Sequence, residues 1–289
     1  MPRGLMNRSS IQNASLPRPF LLLALALAAL AALSCARSAP KTPGDVSFTV
    51  QSFARQSVDC DSVAGHCAKI RIQYPEITSA SSPAARDSIQ AHVLGFVLRT
   101  VGDGARAPSV EAVMQGYLDG YEDFRREAPA SAQPWEADRQ VAVLPSIPGI
   151  ISLEEREFLA LGGAHPNSTI QLASFDARSG GRLALADLLA AGHDSVLSAA
   201  GEKAFRAARE LHADSSLNDA GFWFEQGRFR LNANFAVTAD GLRFYFNAYE
   251  VAPHVLGPTD LVIPFADIAA LIRPDGPLAS RGAAAAMPR

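Results

Sequence analysis

The chain has 289 residues, with 26 Lys and Arg against 29 Asp and Glu, for a net charge near −3. A mildly acidic balance argues against nucleic acid as a partner and mildly favours a basic one. The length is enough for one large domain or two intimate ones.

Residues 1–34 hold Arg3, Arg8 and Arg18 and no acidic residue, and residues 20–33 are unbroken Phe, Leu and Ala. This is a basic n-region followed by an apolar h-region, too short for a membrane span of about 20 residues. A signal peptide is expected over 1–34. Ala32-Leu33-Ser34-Cys35 looks like a lipobox, although Ala32 stands where Leu is usual. Cys35 is then the lipidated first residue of the mature chain, anchored to the membrane on the periplasmic side. Ala36, not Asp, follows it and points to the outer membrane. Residues 35–45 form a Pro-rich tether. Cleavage removes Arg3, Arg8 and Arg18 and no acidic residue, which takes the charge from −3 to near −6. With Cys35 lipidated, Cys60 and Cys67 remain as an even pair in an oxidising compartment, which predicts a disulfide.

Alternation predicts strands through Val46, Phe48 and Val50 and through Ala68, Ile70, Ile72 and Tyr74. Cys67 falls on the polar face of the second, so the disulfide is expected outside the core. A helix is expected over 82–100, with Ile89, Val93, Phe96 and Val97 inward. Another starts near Ser109, with the stripe Val110, Val113, Met114, Tyr117, Leu118, Tyr121 and Phe124. Extended segments follow at 141–144 and 150–161, then Gly162-Gly163-Ala164-His165-Pro166-Asn167, a strand over 169–175 and a turn over 176–181. Leu183, Leu185, Leu188 and Leu189 bury a short helix. A longer one over 194–211 turns Val196, Leu197, Ala200 and Leu211 inward. Phe229, Leu231, Ala233, Phe235 and Val237 alternate up to a turn at Asp240-Gly241, and Leu242, Phe244 and Phe246 alternate on the return, a long hairpin. A last strand over 259–263 and a helix through Leu271 follow, and the end from 276 to 289 is expected to be disordered. The fold class is α+β with antiparallel sheets packed against helices, as two closely associated subdomains.

The chain has no G-x-S-x-G, no H-E-x-x-H, no Walker loop and no G-x-G-x-x-G. Without these, an enzyme, a cofactor and a bound metal are not expected. His165, Glu250 and His254 form one conceivable metal set, but Pro253 argues against a helix that would align Glu250 with His254. The segment 245–258 reads better as a binding surface. Tyr245, Tyr249, Glu250, Pro253 and His254 gather aromatic and rigid groups there, and His165 and Asn167 join them from the Gly-Gly turn.

Several runs together resemble the extracellular domain of RsiV-like anti-sigma factors. They are Gly162-Gly163-Ala164-His165-Pro166, Ser174-Phe175-Asp176, Gly241-Leu242-Arg243-Phe244-Tyr245-Phe246, Tyr249-Glu250, Ala252-Pro253, Gly257-Pro258 and Ile263-Pro264-Phe265. Tyr74-Pro75-Glu76-Ile77 and the helix after it resemble the PdaC-type domain that usually precedes that module. The resemblance implies a PdaC-type domain over 46–134 and an RsiV-like domain over 135–275. It also implies a non-enzymatic envelope module that binds a lysozyme-like protein or a peptidoglycan fragment. The competing expectation is a metal-dependent wall hydrolase acting through His165 and Glu250.

Overall fold

The computed structural model describes residues 46–61, 66–129 and 133–285. The expected signal peptide, Cys35 and tether lie outside them.

Strands β1 (Ser47–Gln56) and β2 (Ala68–Ser79) pair antiparallel, and two helices follow. Each helix is started by a serine. The Ser82 hydroxyl accepts from Ala85 N before α1 (Pro83–Val97), with Pro83 in the first turn. Ser109 does the same for Ala112 N before α2 (Val110–Glu127), which has Glu111 in its first turn and Arg125 and Arg126 in its last. The chain then returns as β3 (Trp135–Leu144), β4 (Ile150–Leu161) and β5 (Asn167–Asp176). The sheet order is β1-β2-β3-β4-β5. It differs from the expected all-antiparallel sheet at one place, because β2 and β3 run parallel. Two helices separate them, and a crossover of that length returns the chain in the same direction.

Helices α1 and α2 cover one face of this sheet. Their expected stripes, apart from the half-buried Leu118 and Phe124, are buried against Ile70, Ile72, Ala137, Leu153 and Phe175. The second core gathers around α3 (Leu185–Leu188), α4 (Asp194–Ala208) and a small sheet of β6 (Phe235–Val237), β7 (Gly241–Phe246) and β8 (Thr259–Pro264). A 3₁₀ turn over Phe265–Leu271 and helix α5 (Ala279–Ala285) complete it. The first core draws on residues as late as Ala177, and the five-stranded sheet runs unbroken across 134–135.

Serine hydroxyls join the two halves. Ser152 Oγ donates to the Val237 carbonyl at 2.6 Å, and Val237 N donates to Ser174 Oγ at 2.8 Å, all buried. Beside them Arg243 of β7 bonds Glu154 of β4 at 2.7 Å and Asp260 of β8. Burial alone would raise the Glu154 carboxyl. Hydrogen bonds from Arg243 and Arg156 outweigh that and hold it below the usual carboxylate range.

Four local expectations are corrected. The Cys60–Cys67 disulfide is formed, but Cys67 is buried: Trp135 N donates to its carbonyl, so β3 starts directly across it. On α4 the buried face is Leu197, Gly201 and Phe205, while Val196 is exposed, and the helix ends at Ala208. The hairpin keeps only its tip, because Phe229 and Leu231 enter the core from irregular backbone and Leu231 packs against Gly201. Gly241 lies so close to the Ile263 carbonyl that any Cβ would collide with it. Of the end expected to be disordered, Ala279–Ala285 form α5, preceded by the fully buried Leu278, and 286–289 lie outside the described residues.

Candidate functional site

The turn between β4 and β5 carries His165 to the neighbourhood of the segment after β7. His165 and His254 stack with ring centroids 4.0 Å apart and planes 23° apart. Tyr249 lies 5.4 Å from the His254 ring and 6.2 Å from that of His165. The Pro166 carbonyl, 3.1 Å from His165 Nδ1, can only accept, so Nδ1 carries the proton. Nε2 lies 3.3 Å from the Tyr249 hydroxyl. Tyr249 is 56% exposed and sits at φ +67°, a left-handed backbone that a non-glycine residue rarely adopts.

Three asparagines hold this loop in place. β5 is an edge strand whose outward backbone groups need partners. Asn247 Oδ1 accepts from Ile170 N at 2.8 Å and its Nδ2 donates to the Ile170 carbonyl. Asn234 Oδ1 accepts from Leu172 N at 2.7 Å, and its Nδ2 donates to the carbonyls of Ile170 and Tyr245. Asn232 Nδ2 donates to the Tyr245 carbonyl and to Glu250 Oε1. The side-chain amides thus stand in for a sixth strand. They also explain why 229–233 is not part of the hairpin ladder.

The other expected residues divide by role. Glu250 accepts from Asn247 N at 2.8 Å with its second oxygen, so its carboxylate closes its own loop. Tyr245 is half-buried against Ile170, Leu172 and Ala236, a packing residue whose hydroxyl burial pushes upward in pKa, helped by Asp260. Pro253 precedes the short 3₁₀ turn His254–Leu256, which Arg209, just past α4, holds by bonding the Leu256 and Pro258 carbonyls. Asn167 opens β5 and lines, with His165, a cavity of about 460 Å³ bounded by Arg99, Arg139 and Glu157. Arg139 is occupied there, donating to Glu157 and to the Val97 carbonyl. Among the described residues no three His, Cys, Asp or Glu side chains stand close enough to hold a metal ion.

Sequence reasoning named His165, Tyr249 and His254 as candidates, and their three rings lie side by side. It missed Asn232, Asn234 and Asn247, whose only signal is three asparagines at a hairpin where β-formers are the rule. It also missed Trp223, which is half exposed and donates its indole N–H to the Glu250 carbonyl.

A family model described as a protein of unknown function, DUF3298, matches residues 186–266. No curated protein matches the sequence. A DUF3298-family crystal structure from Bacteroides fragilis superposes with TM-score 0.66 at 16% identity, covering 84% of this chain and all of that one. Another from Pseudomonas aeruginosa PAO1 superposes with TM-score 0.58 at 19% identity, covering 78% of this chain and 95% of that one. At these identities the likeness is one of fold. The matched stretch, from α3 to the 3₁₀ turn after β8, contains Tyr249, His254 and all three clamping asparagines, while His165 comes from outside it.

Proposed function

We propose that this chain is a non-enzymatic, lipid-anchored protein of the cell envelope. Its platform of His165, Tyr249 and His254 binds a lysozyme-like protein or a soluble wall fragment. The observation that carries this is an exposed aromatic group at a strained backbone position in a loop fixed from several sides. Strain and rigidity of that kind concentrate at binding sites. A rigid, amphipathic Tyr is a common interface anchor. The resemblance to RsiV-like and PdaC-type modules supports the ligand class, and an acidic chain favours a basic ligand through a salt-dependent on-rate. The hydrolase reading has no comparable support, since both Glu250 oxygens are engaged within the loop.

Calorimetry of the full chain in detergent, against a basic lysozyme and against soluble muropeptides, tests the proposal. Binding to one of them should weaken roughly thirtyfold in Tyr249→Ala, the effect of losing about 2 kcal/mol. No heat with either ligand would refute the ligand class, and unchanged affinity in the variant would refute the site. For the anchor, Cys35→Ser should move the protein from the membrane fraction to the soluble one; retention at the wild-type level would refute it.

A further inference from the structure

Between α4 and β6 the chain follows an irregular course whose side chains alternate sharply. Phe222 and Phe224 are buried, and Trp223 between them is 50% exposed. The two phenylalanines pack their edges on Phe205 at 5.0 and 5.3 Å. The loop is therefore fastened to the core on both sides of the tryptophan. Its backbone is shaped further by left-handed turns at Gly221, Gln226 and Gly227, of which Gln226, at φ +56°, is not glycine. Trp223 N donates to the Val251 carbonyl at 2.9 Å and the indole N–H to the Glu250 carbonyl at 3.3 Å. An indole has only that one donor. With it engaged, the ring is oriented and offers only its π surface for recognition.

A cavity of about 410 Å³ opens at this ring, lined by Asn218, Gly221, Trp223, Gln226 and Gly227. Its size falls in the range of small-molecule clefts, and it is shallow and open, so a ligand would lie across the ring rather than be enclosed. Asn218 and Gln226 are exposed, and among the described residues neither side-chain amide makes a hydrogen bond. Each amide offers one acceptor oxygen and two donor hydrogens. The loop carries Asp219 and Glu225 against Arg228, which favours an uncharged ligand over an anionic one.

We infer that this loop is a saccharide subsite for a neutral N-acetylhexosamine chain. The C–H face of a pyranose ring packs on the Trp223 indole. The amides of Asn218 and Gln226 bond the ring substituents, and an acetamido group supplies the N–H and C=O that a primary amide pairs with. This site shares no side chain with the His165, Tyr249 and His254 platform, and it does not depend on that platform's ligand.

The test titrates the full chain with a β-1,4-linked N-acetylglucosamine tetramer, following tryptophan fluorescence and heat. The chain has two tryptophans, and Trp135 lies partly buried in the first core, so Trp223 is the reporter. The expected result is a saturable fluorescence change, with affinity lowered at least tenfold in Trp223→Ala and less in Trp223→Phe. Asn218→Ala should also weaken binding, and both Trp223 variants should melt within a few degrees of wild type. Absence of any signal would overturn the inference, as would wild-type affinity in Trp223→Ala. Equal affinity for a glucose tetramer would overturn the assignment to N-acetylated sugars. Failure of lysozyme binding at Tyr249 would leave this result untouched.

Discussion

The two cores of the molecule are built on different plans. The first is a sheet face covered by two serine-capped helices, filled by β-branched and aliphatic side chains with Tyr117, Tyr121 and Trp135 at one end. The second has little regular structure to organise it. Phe205 sits at its centre, with Phe222, Phe224, Phe229 and Phe246 around it at centroid distances of 5.0 to 5.7 Å. Three of those partners, Phe222, Phe224 and Phe229, come from irregular backbone. Where the first core relies on backbone ladders, the second relies on large side chains and on side-chain hydrogen bonds to the backbone. Both loops proposed to bind ligands belong to the second plan. An irregular backbone can turn single residues outward, as it does with Trp223 and Tyr249, because no ladder dictates their direction.

The largest test of this contrast is Phe205→Ala. The ring is fully buried and packs on the four phenylalanines around it, so its loss should destabilise the protein by about 3–5 kcal/mol in urea unfolding. Hydrogen exchange should rise first across 217–261 while α1 and α2 stay protected, if the cores differ as described. A loss less than half as large would mean that the other phenylalanines fill the space and that the second core has no single centre. Simultaneous loss of protection in both halves would make them one cooperative unit joined through Ser152, Ser174 and Arg243.

A smaller effect is expected at the asparagine clamp. In Asn234→Ala the Ile170 carbonyl keeps Asn247 and the Tyr245 carbonyl keeps Asn232, but the Leu172 N–H loses its partner. One buried donor left unpaired costs about 1–3 kcal/mol. The Leu172 amide should exchange markedly faster by NMR, and a variant with wild-type stability and unchanged exchange at Leu172 would show that water replaces the clamp freely.

The same contrast explains what could be read in the sequence. The stripe on α2 and the burial of Ile89, Val93, Phe96 and Val97 on α1 were legible because helical periodicity and serine caps act locally. The disulfide followed from cysteine number and the expected oxidising compartment. The burial of Cys67 did not, since it depends on β3 arriving beside β2 only after both helices have intervened. In the second core alternation misled. Phe229 and Leu231 have the spacing of a strand, yet the neighbouring Asn232 and Asn234 reach the Tyr245 carbonyl of β7 through their side chains and hold the Glu250 loop and β5 as well. Tyr249 and His254 were legible as a surface from their composition. The stacking of His254 on His165 and the approach of Tyr249 to the pair were not, because the clamp sets them, and Trp223 gave no periodic signal at all.

The smallest expected effect on stability is the one that best separates fold from function. In Tyr249→Gly the left-handed backbone at φ +67° becomes unstrained, a gain of about 1 kcal/mol. Against this, glycine adds chain entropy to the unfolded state, about 0.5–1 kcal/mol relative to a residue with a side chain. The ring contacts to His165 and His254 are also lost, and at an exposed site these contribute only a fraction of a kcal/mol. The terms nearly cancel, so the melting temperature should stay within a few degrees of wild type. Tyr249→Ala keeps the backbone strain and should be the less stable of the two. Both variants remove the aromatic anchor equally and should lose ligand affinity to the same degree. If Tyr249→Gly instead proves less stable than Tyr249→Ala and melts far below wild type, the ring is a structural wedge between the β4–β5 turn and the segment after β7, and its exposure does not mark a binding surface.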